Sequence, residues 1–379
     1  MSIKRVYIVN NISEGGAIKS FTDLLIQSIK SISNNSIIIL NKEKIFKNKF
    51  IEKIISLILN KFFYKINIQK KIKYIENLDK EIILIVPYVI QNECKFLDLF
   101  YEEIAKRKFI LVIHDLHIFN YPDKWNENVL FHVKKRYFNL IAKASKIIVH
   151  NEFTKKDVLH KFNYNSKDIM NIWLPPFINI NNFKKNDLII SKYNFTNSPY
   201  AIWPSSSTSF HKNHDNLLKA WAILISKGVK LKIIFTGNKS PRWNELNSLI
   251  SDLNLENYVH FTGVIPEIDL SQLINNAKFT ICPTLFEGGG PVPAAESVLL
   301  KTPVLLSNIS QCKELMNNNL DDNYYFNPND PVDISNKIEY LLNNYEFAKN
   351  YFSKFSDYYI KSRTWENSAI EYSNIINIF

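Results

Sequence analysis

Between Pro283 and Ser297 the chain reads Pro-Thr-Leu-Phe-Glu-Gly-Gly-Gly-Pro-Val-Pro-Ala-Ala-Glu-Ser, with Glu287 and Glu296 bracketing Gly288, Gly289 and Gly290. The apolar run Phe279 to Cys282 ahead of it predicts a strand, and Pro291 suits the first turn of a helix. Backbone N–H groups bare of side chains, aimed from a helix N-terminus, make a pocket for an anion or a sugar hydroxyl. Glu296, about one turn into the helix, offers acceptors for the two vicinal hydroxyls of a ribose, as the acid of a dinucleotide site does. A flexible surface loop with Glu296 complementing the helix dipole is the plainer alternative. Glycine decides between them: the chain has 8 in 379 residues, about 2% where globular proteins average roughly 7%, so three in a row mark a backbone requirement.

A second polar segment, Ser205-Ser-Ser-Thr-Ser-Phe-His211-Lys212-Asn213-His214, lies between an expected strand and helix. Hydroxyls, amides and a lysine ahead of a helix N-terminus suit a diphosphate, whose charge lysine neutralises as a point cation. Asn213 or Ser209 as a simple helix cap fits the same residues. In the first half, Leu111-Val-Ile-His114-Asp115-Leu116 puts a polar pair at a strand end, followed by a turn over Asn120-Tyr-Pro-Asp123. A lone histidine there is more often structural than catalytic. Gly15-Gly16 is neither a dinucleotide fingerprint nor a P-loop, and a tight strand-to-helix turn explains it equally well.

The elements that must position these residues alternate. Strands are expected at Ile3 to Val9, Ile37 to Leu40, Ile82 to Val86, Phe109 to Ile113, Lys146 to Val149 and Ile169 to Trp173, most followed by a helical pattern such as Gly16 to Ile29. After Pro175-Pro176 and an Asn- and Lys-rich stretch, a second series runs through Tyr200 to Trp203, Leu231 to Thr236, Tyr258 to Phe261, Phe279 to Cys282 and Val304 to Leu306. Helical patterns at Asn213 to Ile225 and Val292 to Leu300 separate these. This predicts an α/β protein of two doubly wound domains, with ligands outside the carboxyl ends of the strands. The expected bounds are 1–180 for the first domain, 181–195 for a linker and 196–360 for the second.

Composition excludes disorder, collagen and coiled coil: 46% of residues are hydrophobic and 22% charged. Of the net charge of +11, the segment Lys42 to Lys73 carries +8, from 10 lysines and 2 glutamates. Within it, Phe50 to Ile66 has the spacing of an amphipathic helix. Its lysines read either as a solvated face or as a dock for an anionic membrane surface, at about 1 kcal/mol per suitably placed lysine. Nucleic-acid binding has no motif to support it. Cys94, Cys282 and Cys312 match no metal or redox spacing, and no run approaches a membrane span or a signal peptide. A cytoplasmic setting is expected, with peripheral attachment to the inner face of the membrane.

The stretch from Phe261 to Glu314 closely resembles the family-four (group 1) retaining glycosyltransferases, through Phe-Thr-Gly263-Val, the helix Leu270 to Ala277, Pro283-Thr-Leu-Phe-Glu287-Gly, Glu296, and Lys-Thr-Pro303-Val with Ser307. The resemblance spans nearly the whole chain and is diffuse before residue 105. It implies the GT-B fold, two Rossmann-like domains facing across a cleft, with a last helix over 361–379 that packs back on the first domain; Trp365 is expected to pack there. It also implies transfer of a hexose from a nucleotide diphosphate sugar to a glycan or lipid-linked acceptor, with no metal cofactor. By resemblance Glu287 lies by the donor sugar, Glu296 holds the ribose, Lys212 the diphosphate, and the Gly15-Gly16 loop admits the donor and acceptor. His114, in a His-Asp-Leu similar to that of mannosyltransferases, faces the sugar.

Two departures stand out. The family commonly has seven residues between its glutamates, and here there are eight; it commonly has an arginine where this chain has Ser207. Lys239 or Arg242, after Gly237, is then the candidate for the second phosphate cation. GDP-mannose is the expected donor, with UDP- or dTDP-linked sugars next. A nucleotide-sugar epimerase of the same fold and a binding protein without turnover are the alternatives.

Overall fold

The computed structural model describes residues 5–9, 17–32, 36–40, 69–70, 72–78, 83–89, 95–178, 183–186, 192–193, 198–206, 209–237 and 242–378. Gly15, Gly16, Ser207, Lys239, Cys94 and the expected helix Phe50 to Ile66 lie outside these residues. The chain divides into two compact units, Met1–Leu174 with Trp365–Phe379, and Pro175–Thr364.

The first unit is a six-stranded parallel sheet in the order β2-β1-β3-β4-β5-β6. Its strands are β1 (Arg5–Val9), β2 (Ser36–Leu40), β3 (Ile83–Val86), β4 (Phe109–Ile113), β5 (Lys146–Val149) and β6 (Ile169–Asn171). Strands β3, β4 and β5 are short, rich in β-branched residues and almost wholly buried, as parallel strands covered on both faces must be. Helices Ala17–Ile32, Lys95–Ile104, Glu127–Lys143 and Glu152–Phe162 belong to the same unit. The final helix, Trp365–Ile378, packs on Ala17–Ile32 and buries Ala369, Tyr372, Ile375 and Ile376. Trp365 lies 5.9 Å from Phe21 between ring centroids, so it packs as expected.

The second unit is also a parallel sheet, ordered β12-β11-β10-β7-β8-β9. It comprises β7 (Tyr200–Trp203), β8 (Lys232–Phe235), β9 (Val259–Phe261), β10 (Phe279–Cys282), β11 (Val304–Ser307) and β12 (Tyr325–Phe326). The chain runs outward from β7 to β9 and then returns to place β10 on the other side of β7. The reversal between β7 and β10 is a topological switch point, the place at which open sheets of this kind bind ligands. Strand β12 has no counterpart among the expected strands. Two residues paired at a sheet edge are too short to show a period.

The described residues of the expected linker 181–195 are part of the second unit. Asn186 N–H donates to Gln272 Oε1 at 2.8 Å, Gln272 Nε2 donates to the Lys184 carbonyl at 2.7 Å, and Phe183 and Tyr193 pack against Tyr200 and Leu273. The polar stretch that reads as a spacer finds its backbone partners in one buried glutamine.

Candidate functional site

Three charged residues of the second unit, Lys212, Glu287 and Glu296, gather at its switch point. Lys212 ends the loop after β7, Glu287 lies in the loop after β10, and the two form an ion pair, with side-chain exposures of 24% and 13%. The Thr284 hydroxyl lies 3.1 Å from Glu287 Oε1. The loops are tied backbone to backbone, since Leu285 N–H donates to the His211 carbonyl at 2.8 Å. Trp203 Nε1–H donates to the Lys212 carbonyl at 3.2 Å, and the Lys212 ammonium stands 6.0 Å from the Trp203 ring centroid. Lys212 and Glu287, which the sequence assigns to different parts of a ligand, therefore neutralise one another in the chain alone.

Asn213 is left-handed, at φ 57°, and its side chain does not cap the helix His214–Ser226. Its amide donates instead to the carbonyls of Pro283, at 2.8 Å, and Pro328, at 2.7 Å. Ser209 makes no side-chain cap either. A capping residue takes extended backbone, whereas Asn213 is left-handed with its amide turned to these carbonyls, and the segment forms a stitch between three loops in place of either expected cap.

Glu296 sits in the helix Val292–Leu299, which opens after Pro291 and carries no side-chain cap. It is 6% exposed, and among the described residues no hydrogen-bond or ion-pair partner meets its carboxyl. Burial, with the charge of Glu267 second, pushes it up to about 8. The charges of Glu287, Lys212 and Glu296 all act on the buried Cys282 thiol, which places the three around the carboxyl end of β10. A buried carboxyl without a partner costs stability, which a ligand supplying hydroxyl donors would recover.

Backbone geometry explains two of the glycines. Gly237, at φ +91°, would put a Cβ 2.9 Å from the Ser206 backbone, and Gly290, at φ +88°, one 2.7 Å from Leu315 Cβ. Arg242, proposed as a phosphate cation, opens the helix Arg242–Asp252 and pairs with Asp215. His214, absent from the sequence reading as a site residue, is fully buried between Trp203 and Phe235; burial first, then Arg242, hold it down to about 3.

In the first unit His114 follows β4, with its Nε2 2.9 Å from the Pro87 carbonyl and its Nδ1 3.1 Å from Nε2 of His150. Both ring nitrogens are thus engaged within the unit. His150 was not singled out from the sequence. The signal was present: Leu111-Val-Ile-His114 and Ile147-Ile-Val-His150 are two strand ends of one pattern, and their strands are neighbours. Among the described residues no three His, Cys, Asp or Glu side chains stand together as a metal site would require, and no helix is long and apolar enough to cross a membrane.

Solved structures share this architecture. The Anabaena protein Alr3699/HepE in complex with UDP-glucose matches with a TM-score of 0.74 at 13% identity, over 99% of this chain and 100% of that one. The fold is GT-B, two parallel-sheet α/β domains. Residues 186–354 match the model of the family described as "Glycosyl transferases group 1", and this part of the chain is a group 1 glycosyltransferase domain. Among curated relatives, O-antigen chain mannosyltransferase RfbU of Salmonella typhimurium is 26% identical over 260 residues, 66% of this chain and 65% of that protein. O-antigen chain mannosyltransferase B of Escherichia coli is 23% identical over 242 residues, 63% of this chain and 62% of that protein. The match thus spans slightly less than two thirds of either relative.

Proposed function

We propose that the protein is a retaining hexosyltransferase that moves mannose from GDP-mannose to a glycan or lipid-linked acceptor in surface polysaccharide assembly. The carrying observation is Glu296: a buried carboxyl with no partner among the described residues, beside the Lys212–Glu287 pair at a switch point. A nucleotide diphosphate sugar answers each group. Its ribose hydroxyls donate to Glu296, its diphosphate takes Lys212 from Glu287, and the released Glu287 accepts from the sugar hydroxyls. The names of the two relatives favour mannose.

In this reading the acceptor oxygen attacks the anomeric carbon on the face from which the diphosphate departs. The bond from anomeric carbon to phosphate oxygen breaks, and the acceptor proton passes to the leaving phosphate. Lys212 and the amides at the start of Val292–Leu299 stabilise the charge that develops there, a task preorganised dipoles and cations perform without reorganisation. We propose that no metal takes part, so turnover should persist in a chelator. We also propose that Lys42 to Lys73 holds the protein on anionic membrane; neutralising these lysines should then release it from anionic vesicles.

The test is a panel of nucleotide sugars screened for protection against thermal unfolding, followed by turnover with lipid-linked acceptors and determination of the product anomer. Protection by GDP-mannose and an α-linked product are expected. Protection by no nucleotide sugar would overturn the reading, and epimer formed from donor alone would replace it with the epimerase.

A further inference from the structure

Beside the charged cluster of the second unit lies a helix too short to hold itself. Ser310–Leu315 has six residues and no side-chain cap at its start, and a helix of that length is marginal without outside contacts. Yet it meets the site twice. Its Cys312 thiol feels the charges of Glu287 and Lys212, and its Leu315 packs on the bare backbone of Gly290, where a Cβ would stand 2.7 Å from Leu315 Cβ and 3.0 Å from its Cδ2. Gly290, at φ +88°, closes the glycine run that begins beside Glu287. The placing of this small helix therefore sets one wall of the loop.

The helix is fixed from its far end. Carbonyls in the last turn of a helix have no partner within it. Here the Glu314 carbonyl accepts from the Asn317 N–H at 3.0 Å and also from Arg363 Nη2. Asn317 Oδ1 accepts from Arg363 Nε at 3.0 Å and Nη2 at 2.8 Å, and Asn317 Nδ2 donates to the Ser362 hydroxyl at 2.8 Å. Asn317 and Asn318 are both left-handed, at φ 56° and 54°, a conformation that asparagine tolerates better than most residues.

Arg363 follows the helix Tyr345–Ser362, 46 residues beyond Asn317. The same long helix reaches the other helix of the site: the Ser356 hydroxyl donates at 3.4 Å to the carbonyl of Leu299, which ends the helix carrying Glu296. One element thus holds the far ends of both helices that meet the glycine loop. Arg363 is 5% exposed, and a buried guanidinium is a costly way to fill a core. An apolar side chain would cost less. What it lacks is a planar fork that takes two acceptors at once, and so fixes a helix end in orientation as well as in distance.

We propose that Arg363 is a positioning residue for the glycine loop: by holding Glu314 and Asn317 it keeps Leu315 seated against Gly290, and so presets the loop between Glu287 and Glu296 for its ligand. Every link lies within the second unit. That the ligand is a nucleotide sugar rests on the reading above; the positioning does not.

Hydrogen exchange of the full chain at pH 7, read by mass spectrometry, tests the link without a ligand. In Arg363→Lys, which keeps the charge and loses the fork, the amides of 310–318 and of 288–290 should both exchange about tenfold faster than in the parent, with β7 and β8 unchanged. Asn317→Gly removes the acceptor and keeps a residue at ease at positive φ, so it should loosen the same two segments. The double variant should exchange no faster than either single one, because both changes cut one link. Faster exchange confined to 310–318, acceleration spread evenly over the second unit, or additive effects in the double variant would overturn the proposal. GDP-mannose should bind each variant about tenfold more weakly, and binding equal to that of the parent would overturn it too. A parent that binds no nucleotide sugar would overturn the nucleotide-sugar reading, and the exchange of 288–290 would still decide the role of Arg363.

Discussion

At the carboxyl end of β10 the second unit gathers a lysine and two glutamates, whereas at the ends of β4 and β5 the first unit gathers two imidazoles between two carbonyls. Both clusters use the same device, parallel strands that bring distant residues to one edge. They differ in what is left over. The second unit leaves a carboxyl without a partner among the described residues and a salt bridge that a diphosphate can exchange; the first leaves both imidazoles buried, with their contacts made inside the unit. Charge in the one suits the phosphate and ribose of the proposed donor, and burial in the other holds both imidazoles neutral.

The comparison breaks most sharply at Lys212. Lys212→Ala should lower the transfer rate by about 10²- to 10³-fold, the scale for losing a preorganised group at developing charge, with a smaller change in donor affinity. Equal rates would remove the charged cluster from the chemistry. Glu296→Gln should weaken the donor by about 10- to 100-fold, the scale of a hydrogen bond to a charged group.

The pH dependence runs in opposite directions in the two units. Glu296, raised to about 8, keeps its proton in the fold between about 4.5 and 8 while the unfolded chain has lost it, so stability falls as pH rises through that window. Glu296→Gln should therefore stabilise the protein by roughly 2 to 4 kcal/mol at pH 8.5, read from denaturant unfolding. His114 and His150 are lowered, so the unfolded chain binds more protons, and stability falls as pH drops from about 6.5 toward 4. His150→Phe should flatten that acid limb and leave the alkaline one in place.

Smaller effects test the backbone. Gly237→Ala should cost about 1 to 3 kcal/mol, because the new Cβ meets the Ser206 backbone at a positive φ. Gly263→Ala, at φ +75° with nothing within 4 Å, should cost about 1 kcal/mol, and the difference measures the close approach of two loops.

The charged cluster was readable because its signals are local. Three glycines after a strand, a glutamate on each side and a lysine before a helix each declare a loop and a chemistry within a few residues. What the sequence did not show is the pairing of Lys212 with Glu287, 75 residues on, which depends on strand order. His150 was missed for the same reason: its partner is 36 residues away, and a lone histidine at a strand end reads as core. The linker misled because Asn and Lys look alike in a spacer and in a segment whose backbone is held by Gln272.

The central claim is that Glu296 waits, protonated, for the ribose of the donor. Calorimetric titration of GDP-mannose at pH 7, in buffers of different ionisation enthalpy, tests it most directly. A carboxyl poised at about 8 and ionised on binding releases about one proton, and Glu296→Gln abolishes the release. Binding of equal strength in both proteins with no proton released would contradict the account.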